Sequence, residues 1–543
     1  MNELVRFKDL RKKPFLIVMV AIVLVEIIYL MYFNFAHIYQ CIDEDAAKLM
    51  THMVEIVRNR KILIPNWVYV STLELDTSML LAIPFYIITK NVWISFAISN
   101  CIYIPILLYV VIWIFKNINV ATEYALGCCS LIFVPYFLGM VDYTNMLFIK
   151  TAQYNIKVLI PLLAVAILTY KKINMKKIVA IGIWLFLVFI CAFSSGPLVF
   201  VTVIAPLVMA FIINLFITDI KSDKRLYFAN AIMLILGTIL TLVGLHIYNG
   251  YNNSPAKVSS ILLDADSIPG KMHETMMFFF QVINALPPNW VGGVELTSSN
   301  GIITGGGFVL RFILTCFIIV CVFRYIVSFF KNESYYDSED NCSKESINYL
   351  IVIILVNVLI KFLQNYGAQR YYLVEFFPML IISTIFFSKW IDRFKKSAKN
   401  MMSIATIAGI SFIWYSSVLW TNSLLPMQEH YGHAFEMCSR IEALNVDNVI
   451  TIDNSGLAEV SRLILPNQKI SNYSTEEQNY YGMDWYDTVD DSSYYGHSSI
   501  IITYSNDLNS LFGEQIASKY EYLETISDYY IFISDELGAP TEF

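Results

Sequence analysis

Charge is scarce in this sequence. Only 15% of its 543 residues are Asp, Glu, Lys or Arg, against 57% hydrophobic residues. A soluble chain carries about a quarter charged residues, so the apolar excess has to face something other than a core. Cysteines are few and scattered: Cys128, Cys129, Cys191, Cys316 and Cys321 lie in apolar runs, a spacing that fits neither a disulfide framework nor a zinc site. Cys41 and Cys438 fall in segments read as outside the membrane, where a bridge between them is chemically allowed. The sequence has no GxGxxG after a strand and no GxxxxGK[ST], which leaves nucleotide binding without support, and His273-Glu274 lacks the HExxH spacing of a zinc protease. There is no soluble repeat, coiled coil or lipidation motif. The first apolar run is too long for a cleaved signal peptide and no small-residue cleavage site follows it.

What the chain does have is long apolar runs. Pro14–Phe33 holds twenty residues with one charge, Glu26, enough to cross the ~30 Å hydrocarbon layer. An ionisable group there is expected to face the bundle interior with a partner. Hydropathy predicts about eleven spans, near 14–36, 92–115, 121–141, 155–170, 178–194, 197–218, 226–247, 307–330, 348–365, 371–388 and 401–420. Basic segments alternate between them: RFKDLRKK, KKINMKK, DIKSDKR and KWIDRFKKSAKN. The positive-inside rule makes these cytoplasmic. The N-terminus is then inside, and residues 37–91, about 249–306 and 421–543 are outside. The tail from Thr421 carries 20 Asp and Glu against 4 Lys and Arg, so the net charge of −7 is an acidic outer module set against a basic inner face. That balance argues against a nucleic-acid partner.

The predicted architecture is an all-α polytopic bundle over residues 1–420, with an outer loop at 37–91, followed by a small α/β domain over 421–543. In the tail, residues 448–453, 499–504, 520–526 and 529–534 read as strands. Residues 433–445, 456–466 and 507–520 have helical spacing.

The chemistry concentrates in the outer loop. CIDEDAAKLM puts Asp43, Glu44 and Asp45 in a row directly after the first span. Ala46, Leu49, Met50, Met53 and Val57 then form one stripe of an amphipathic helix suited to lie along the bilayer surface. A second acidic pair, Glu74 and Asp76, precedes a short apolar helix. Each acid has a structural alternative: Asp43 as an N-cap with Glu44 and Asp45 in the first turn, and Asp76 with Thr77 as a second cap. Capping needs one carboxylate rather than three, and a second acidic pair recurs in the same loop.

These features resemble the GT-C superfamily of integral membrane glycosyltransferases, in particular its protein O-mannosyltransferase-like members. Such enzymes have a first span and then a large outer loop opening on an Asp-Glu pair, matched here by Asp43-Glu44. Two surface helices follow, with a later acidic residue matched by Asp76. Thr77-Ser78-Met79 stands where members often carry His-Pro-Pro, which argues against a true protein mannosyltransferase. GAQRYYLVEFFPML, residues 367–380, looks like the Arg-Tyr that opens a late span in many of these enzymes.

The resemblance implies an integral protein of a bacterial cell membrane. It would move a sugar from a polyprenyl-phosphate donor to an envelope glycan, lipid or protein acceptor, with inversion, on the extracytoplasmic side. The acceptor hydroxyl needs a base, a role that falls to Asp43 with Glu44 and Asp76 beside it. The departing lipid phosphate needs a cation, for which Arg370 is the candidate, with Gln369 and Tyr371 adding hydrogen bonds. Lys150 and Lys157 form a second basic group that either assists phosphate binding or neutralises Asp142, while Asp45 and Glu74 line the same polar region. Asp43, Asp45 and Asp76 also offer oxygen ligands for Mg or Mn, and no spacing decides whether a metal is used. The Gly- and Pro-rich loop at 284–308 reads either as a phosphate or acceptor cradle or as a plain outer loop. Two rival readings stay open: a transporter or flippase of an envelope lipid or polysaccharide, and an inactive scaffold of GT-C shape. Transporters place charge near the midplane and build from repeats, whereas these acids lie at the surface.

Overall fold

The computed structural model describes residues 14–64, 67, 69, 72–136, 143–217, 224–251, 267–286, 297–331, 341–364, 367–424, 432–476, 479–482, 488–489 and 498–534. They fall into two compact units. One is drawn from Met1–Ala36, Val70–Leu81 and Phe96–Leu424, the other from His37–Tyr69, Ala82–Ser95 and Leu425–Phe543.

Among the described residues nine helices are long and apolar enough to cross a membrane: Pro14–Ala36, Val92–Asn117, Met175–Ser195, Pro197–Phe216, Lys224–Tyr251, Ser299–Lys331, Lys344–Leu363, Gln369–Ile391 and Lys396–Ser423. Two of the eleven predicted spans appear instead as shorter helices, Thr122–Phe133 and Asn155–Leu168. At 1.5 Å per residue the first covers only about 18 Å. It stops because Val134 turns extended ahead of Pro135, a residue that disfavours helix before it. The second is buried at every residue except Lys157. Hydropathy cannot separate a helix enclosed by protein from one enclosed by lipid, since both are apolar all round.

Within the first unit Glu26 faces inward as expected, with Ser130 Oγ donating to Oε1 at 2.6 Å. Helix Met175–Ser195 packs against Lys224–Tyr251 at a crossing that only glycine permits. A Cβ on Gly244 would lie 2.8 Å from both Ala192 Cβ and the backbone nitrogen of Phe193. This crossing fixes the helix end that carries Ser194 and Ser195.

The second unit contains a seven-stranded sheet: β1 (Asn448–Ile452), β2 (Lys469–Ser474), β3 (Asn479–Gly482), β4 (Thr488–Val489), β5 (Ser499–Thr503), β6 (Tyr520–Ile526) and β7 (Tyr529–Ser534), in the order β4-β3-β2-β1-β5-β7-β6. The centre is parallel, with Ile450 opposite Ser471 of β2 and Ile501 of β5; the flanks are antiparallel. Ile450, Ile452, Ile501, Leu508 and Phe532 form its core. The four strands read from sequence are present. β2 escapes a hydropathy reading because the polar Ser471 and Asn472 occupy its interior; Thr451 Oγ1 donates to Asn472 Oδ1 at 2.9 Å. The helix expected over 507–520 is split into Leu508–Phe512 and Glu514–Ala517 at Gly513, whose φ is 77°.

The amphipathic helix Glu44–Asn59 belongs to this unit and packs on Ser455–Ile464. It is buried on both faces from Ala46 to Met53, so its apolar stripe meets protein rather than a bilayer surface. Glu55 sits between Arg58 Nη1 at 2.6 Å and Arg462 Nη2 at 3.7 Å. His52 stacks on Trp67 with ring centroids 4.8 Å apart. Cys41 and Cys438 are both buried and form no disulfide, and burial pushes the Cys438 thiol up to about 12.

Gly244→Ala is expected to lower the stability of the solubilised protein by about 1–3 kcal/mol, read as a lower thermal unfolding midpoint. An unchanged midpoint would mean that the two helices do not approach as closely as described.

Candidate functional site

Asp76 is fully buried and held from three sides. The chain ahead of it docks on the end of helix Met175–Ser195. Leu73 N donates to Ser194 O at 2.7 Å, and the Leu75 and Asp76 amides donate to Ser194 Oγ at 2.9 and 3.2 Å. The two hydroxyls then serve one carboxylate: Ser194 Oγ donates to Asp76 Oδ1 at 2.7 Å and Ser195 Oγ to Oδ2 at 2.6 Å. Lys157 Nζ lies 3.4 Å from Oδ2. Glu74, also buried, adopts a left-handed φ of 65° in this tight passage, a conformation uncommon for a residue with a Cβ.

Beyond Asp76 the Thr77-Ser78 pair builds a buried amide network. Thr77 Oγ1 donates to Glu74 O at 3.0 Å and accepts from Met79 N at 3.2 Å. Ser78 Oγ donates to Asn100 Oδ1 and accepts from Asn155 Nδ2 at 2.9 Å. Asn100 Nδ2 donates to Asn34 Oδ1 at 2.8 Å and to the Lys150 carbonyl at 2.9 Å. The residues that replace His-Pro-Pro thus tie the acidic segment to the loop of Lys150 and Ala152, both at positive φ, 52° and 39°. Lys150 is itself buried.

A ladder of cations and rings runs outward from Asp76. Lys157 Nζ sits 5.1 Å from the Tyr154 ring centroid. The Tyr154 and Tyr371 rings are 6.5 Å apart, and the Arg370 guanidinium carbon lies 5.6 Å from the Tyr371 centroid. Arg370 and Tyr371 stand on the half-buried 3-10 turn Gln369–Tyr372. Below it, Lys361 Nζ donates both to the Tyr371 carbonyl and to the fully buried Glu375. Arg370 offers a planar fork suited to phosphate and Lys157 a point charge. The rings between them supply apolar faces that favour cations.

The structure therefore gathers Asp76, Lys157, Tyr371 and Arg370 within one unit and sets Lys150 and Glu74 on the adjoining loops. Asp43, Glu44 and Asp45 belong to the second unit. Asp43 is the N-cap of Glu44–Asn59, its Oδ1 accepting from Ala46 N at 2.8 Å, and Glu44 and Asp45 are exposed in the first turn. Asp142 and residues 287–296 of the Gly- and Pro-rich loop lie outside the described residues. Among the described residues no group of three or more His, Cys, Asp or Glu side chains is placed to hold a metal ion. Sequence reasoning missed Ser194, Ser195, Tyr154, Asn100 and the Lys361–Glu375 pair. Only that last pair carried a signal, as ionisable groups inside apolar runs.

Ser194→Ala removes two acceptor contacts and one donor contact, Ser195→Ala a single donor. The first is expected to cost about 1–3 kcal/mol and more than the second, measured as paired unfolding midpoints. Equal shifts would contradict the unequal roles of the two hydroxyls.

No family model matches the sequence, and no curated protein does. Solved structures do match. The apo crystal structure of ArnT from Cupriavidus metallidurans superposes with a TM-score of 0.57 at 9% identity, covering 98% of this chain and all of that one. The crystal structure of the same protein bound to undecaprenyl phosphate gives 0.53 at 10% identity, covering 97% and 100%. With its nine helices long and apolar enough to cross a membrane among the described residues and its C-terminal α/β sheet, the chain is an integral membrane protein that shares the fold of ArnT.

Proposed function

We propose that this protein is a membrane glycosyltransferase that moves a sugar from a polyprenyl-phosphate donor to a cell-envelope acceptor on the extracytoplasmic face, with inversion at the sugar carbon. The observation that carries the reading is a fold shared over nearly the whole chain with ArnT, solved bound to undecaprenyl phosphate. The ladder of Lys157, Tyr154, Tyr371 and Arg370 adds the chemistry such a donor requires.

As the bond between sugar and phosphate breaks, negative charge accumulates on the lipid phosphate. Arg370 and Lys157 stabilise that charge from a low-dielectric surrounding, where fixed cations act more strongly than in water. Gln369 beside Arg370 adds a hydrogen bond. Asp76 serves as counter-charge to Lys157: both of its oxygens already accept hydrogen bonds, a poor arrangement for taking a proton. The base for the acceptor hydroxyl is assigned to Asp43, with Glu44 and Asp45 beside it, on the resemblance of the Asp43-Glu44 pair. Its capping bond uses Oδ1 and pre-orients the carboxylate.

Asp43→Asn in membranes supplied with polyprenyl-phosphate sugars is expected to reduce transfer about 10²–10⁴-fold. Arg370→Ala should reduce it about as strongly as loss of an oxyanion donor, 10²–10³-fold. Transfer that persists undiminished in both variants would sink the assignment.

A further inference from the structure

Helix Ile268–Gln281 places a carboxylate at the phosphate-side turn that the reading above does not use. Lys271 Nζ, only 2% exposed, lies 2.6 Å from Glu274 Oε2, whose side chain is 35% exposed. The ammonium end of the pair is sealed and the carboxylate end is open. The helix is fastened to the turn of Arg370: Thr275 Oγ1 and Tyr372 OH are 3.2 Å apart, and the rings of Phe278 and Phe279 lie 5.6 and 5.1 Å from that of Tyr372.

Gly367, three residues before Arg370, is where the turn meets the pair. A Cβ there would fall 2.8 Å from Lys271 Nζ, 3.0 Å from the Phe278 ring and 3.1 Å from Glu274 Oε1. The backbone can come this close to the ion pair only without a side chain. A buried ammonium at this spot, costly unless paired, holds Oε2, and Oε1 lies beside Gly367.

We infer that Glu274 is a sugar-recognition residue: its carboxylate accepts hydrogen bonds from hydroxyl groups of the sugar whose phosphate Arg370 holds, with Lys271 and Gly367 as positioning residues. The inference rests on the reading of a polyprenyl-phosphate sugar as donor and names the group that reads the sugar. A carboxylate has the right chemistry for this, since it only accepts and a hydroxyl only needs an acceptor to be told from a hydrogen. Gln in its place keeps the size but weakens the acceptor and releases Lys271 from its counter-charge.

The test uses the full-length protein in nanodiscs and two ligands, a polyprenyl phosphate and the same lipid carrying its sugar. Glu274→Gln is expected to weaken binding of the sugar-bearing lipid about tenfold or more, the loss of a hydrogen bond to a charged group, and to leave the bare lipid phosphate unaffected. Gly367→Ala, which displaces the pair without removing it, gives a smaller loss with the same selectivity. Arg370→Ala weakens both ligands. If Glu274→Gln changes neither ligand, or both equally, the inference is overturned while the donor reading stands. If the unaltered protein binds neither lipid, the donor reading itself fails and takes the inference with it.

Discussion

A full carboxylate at Asp76 sits where no part of it reaches solvent, and the arrangement of the first unit follows from that constraint. Charge taken out of water has to be matched by hydrogen bonds and an opposite charge or the fold cannot hold it. Two adjacent hydroxyls at one helix end and one ammonium do this. The hydroxyls are in position only because Gly244 lets the neighbouring helix pass against Ala192 and Phe193. The ammonium is available because Lys157 alone on its helix escapes burial. Packing between two helices therefore sets the placement of a charge that faces a different part of the bundle.

From Lys157, paired with Asp76, the rings of Tyr154 and Tyr371 lead to Arg370 in steps of 5.1, 6.5 and 5.6 Å. The Lys361–Glu375 pair beneath the turn adds no net charge to Arg370 and holds the turn through the Tyr371 carbonyl. Cation and backbone are positioned by separate groups, so the platform does not rely on the ligand for its shape.

Much of this was legible in residue order. The apolar runs announced a helical membrane bundle, and the loss of those runs after residue 420 announced a domain with strands, four of which stand where β-branched and aromatic residues alternate. The acids at 43–45 and 74–76, the Arg-Tyr at 370–371 and Lys157 were visible as charges where charge is costly. Other features depended on partners distant in sequence. Ser194 and Ser195 are ordinary helix-end residues until Asp76 is laid against them, 118 and 119 positions away. β2 carries Asn472 inside because Thr451 Oγ1 and the Asn454 amide both donate to its Oδ1. The stripe on Glu44–Asn59 had the right period but an unforeseen neighbour, because an apolar face records only that it is covered and not by what.

Under the proposed function, Arg370 and Lys157 hold the phosphate of a polyprenyl carrier. The most direct measurement is the affinity of the purified protein in nanodiscs for sugar-free polyprenyl phosphate, with Arg370→Lys and Lys157→Gln compared with the unaltered chain. A lysine keeps the charge but not the planar fork, so Arg370→Lys should weaken binding about tenfold, and Lys157→Gln should weaken it and flatten its salt dependence. Affinity that is unchanged in both variants across ionic strength would contradict the assignment of this ladder to the lipid phosphate.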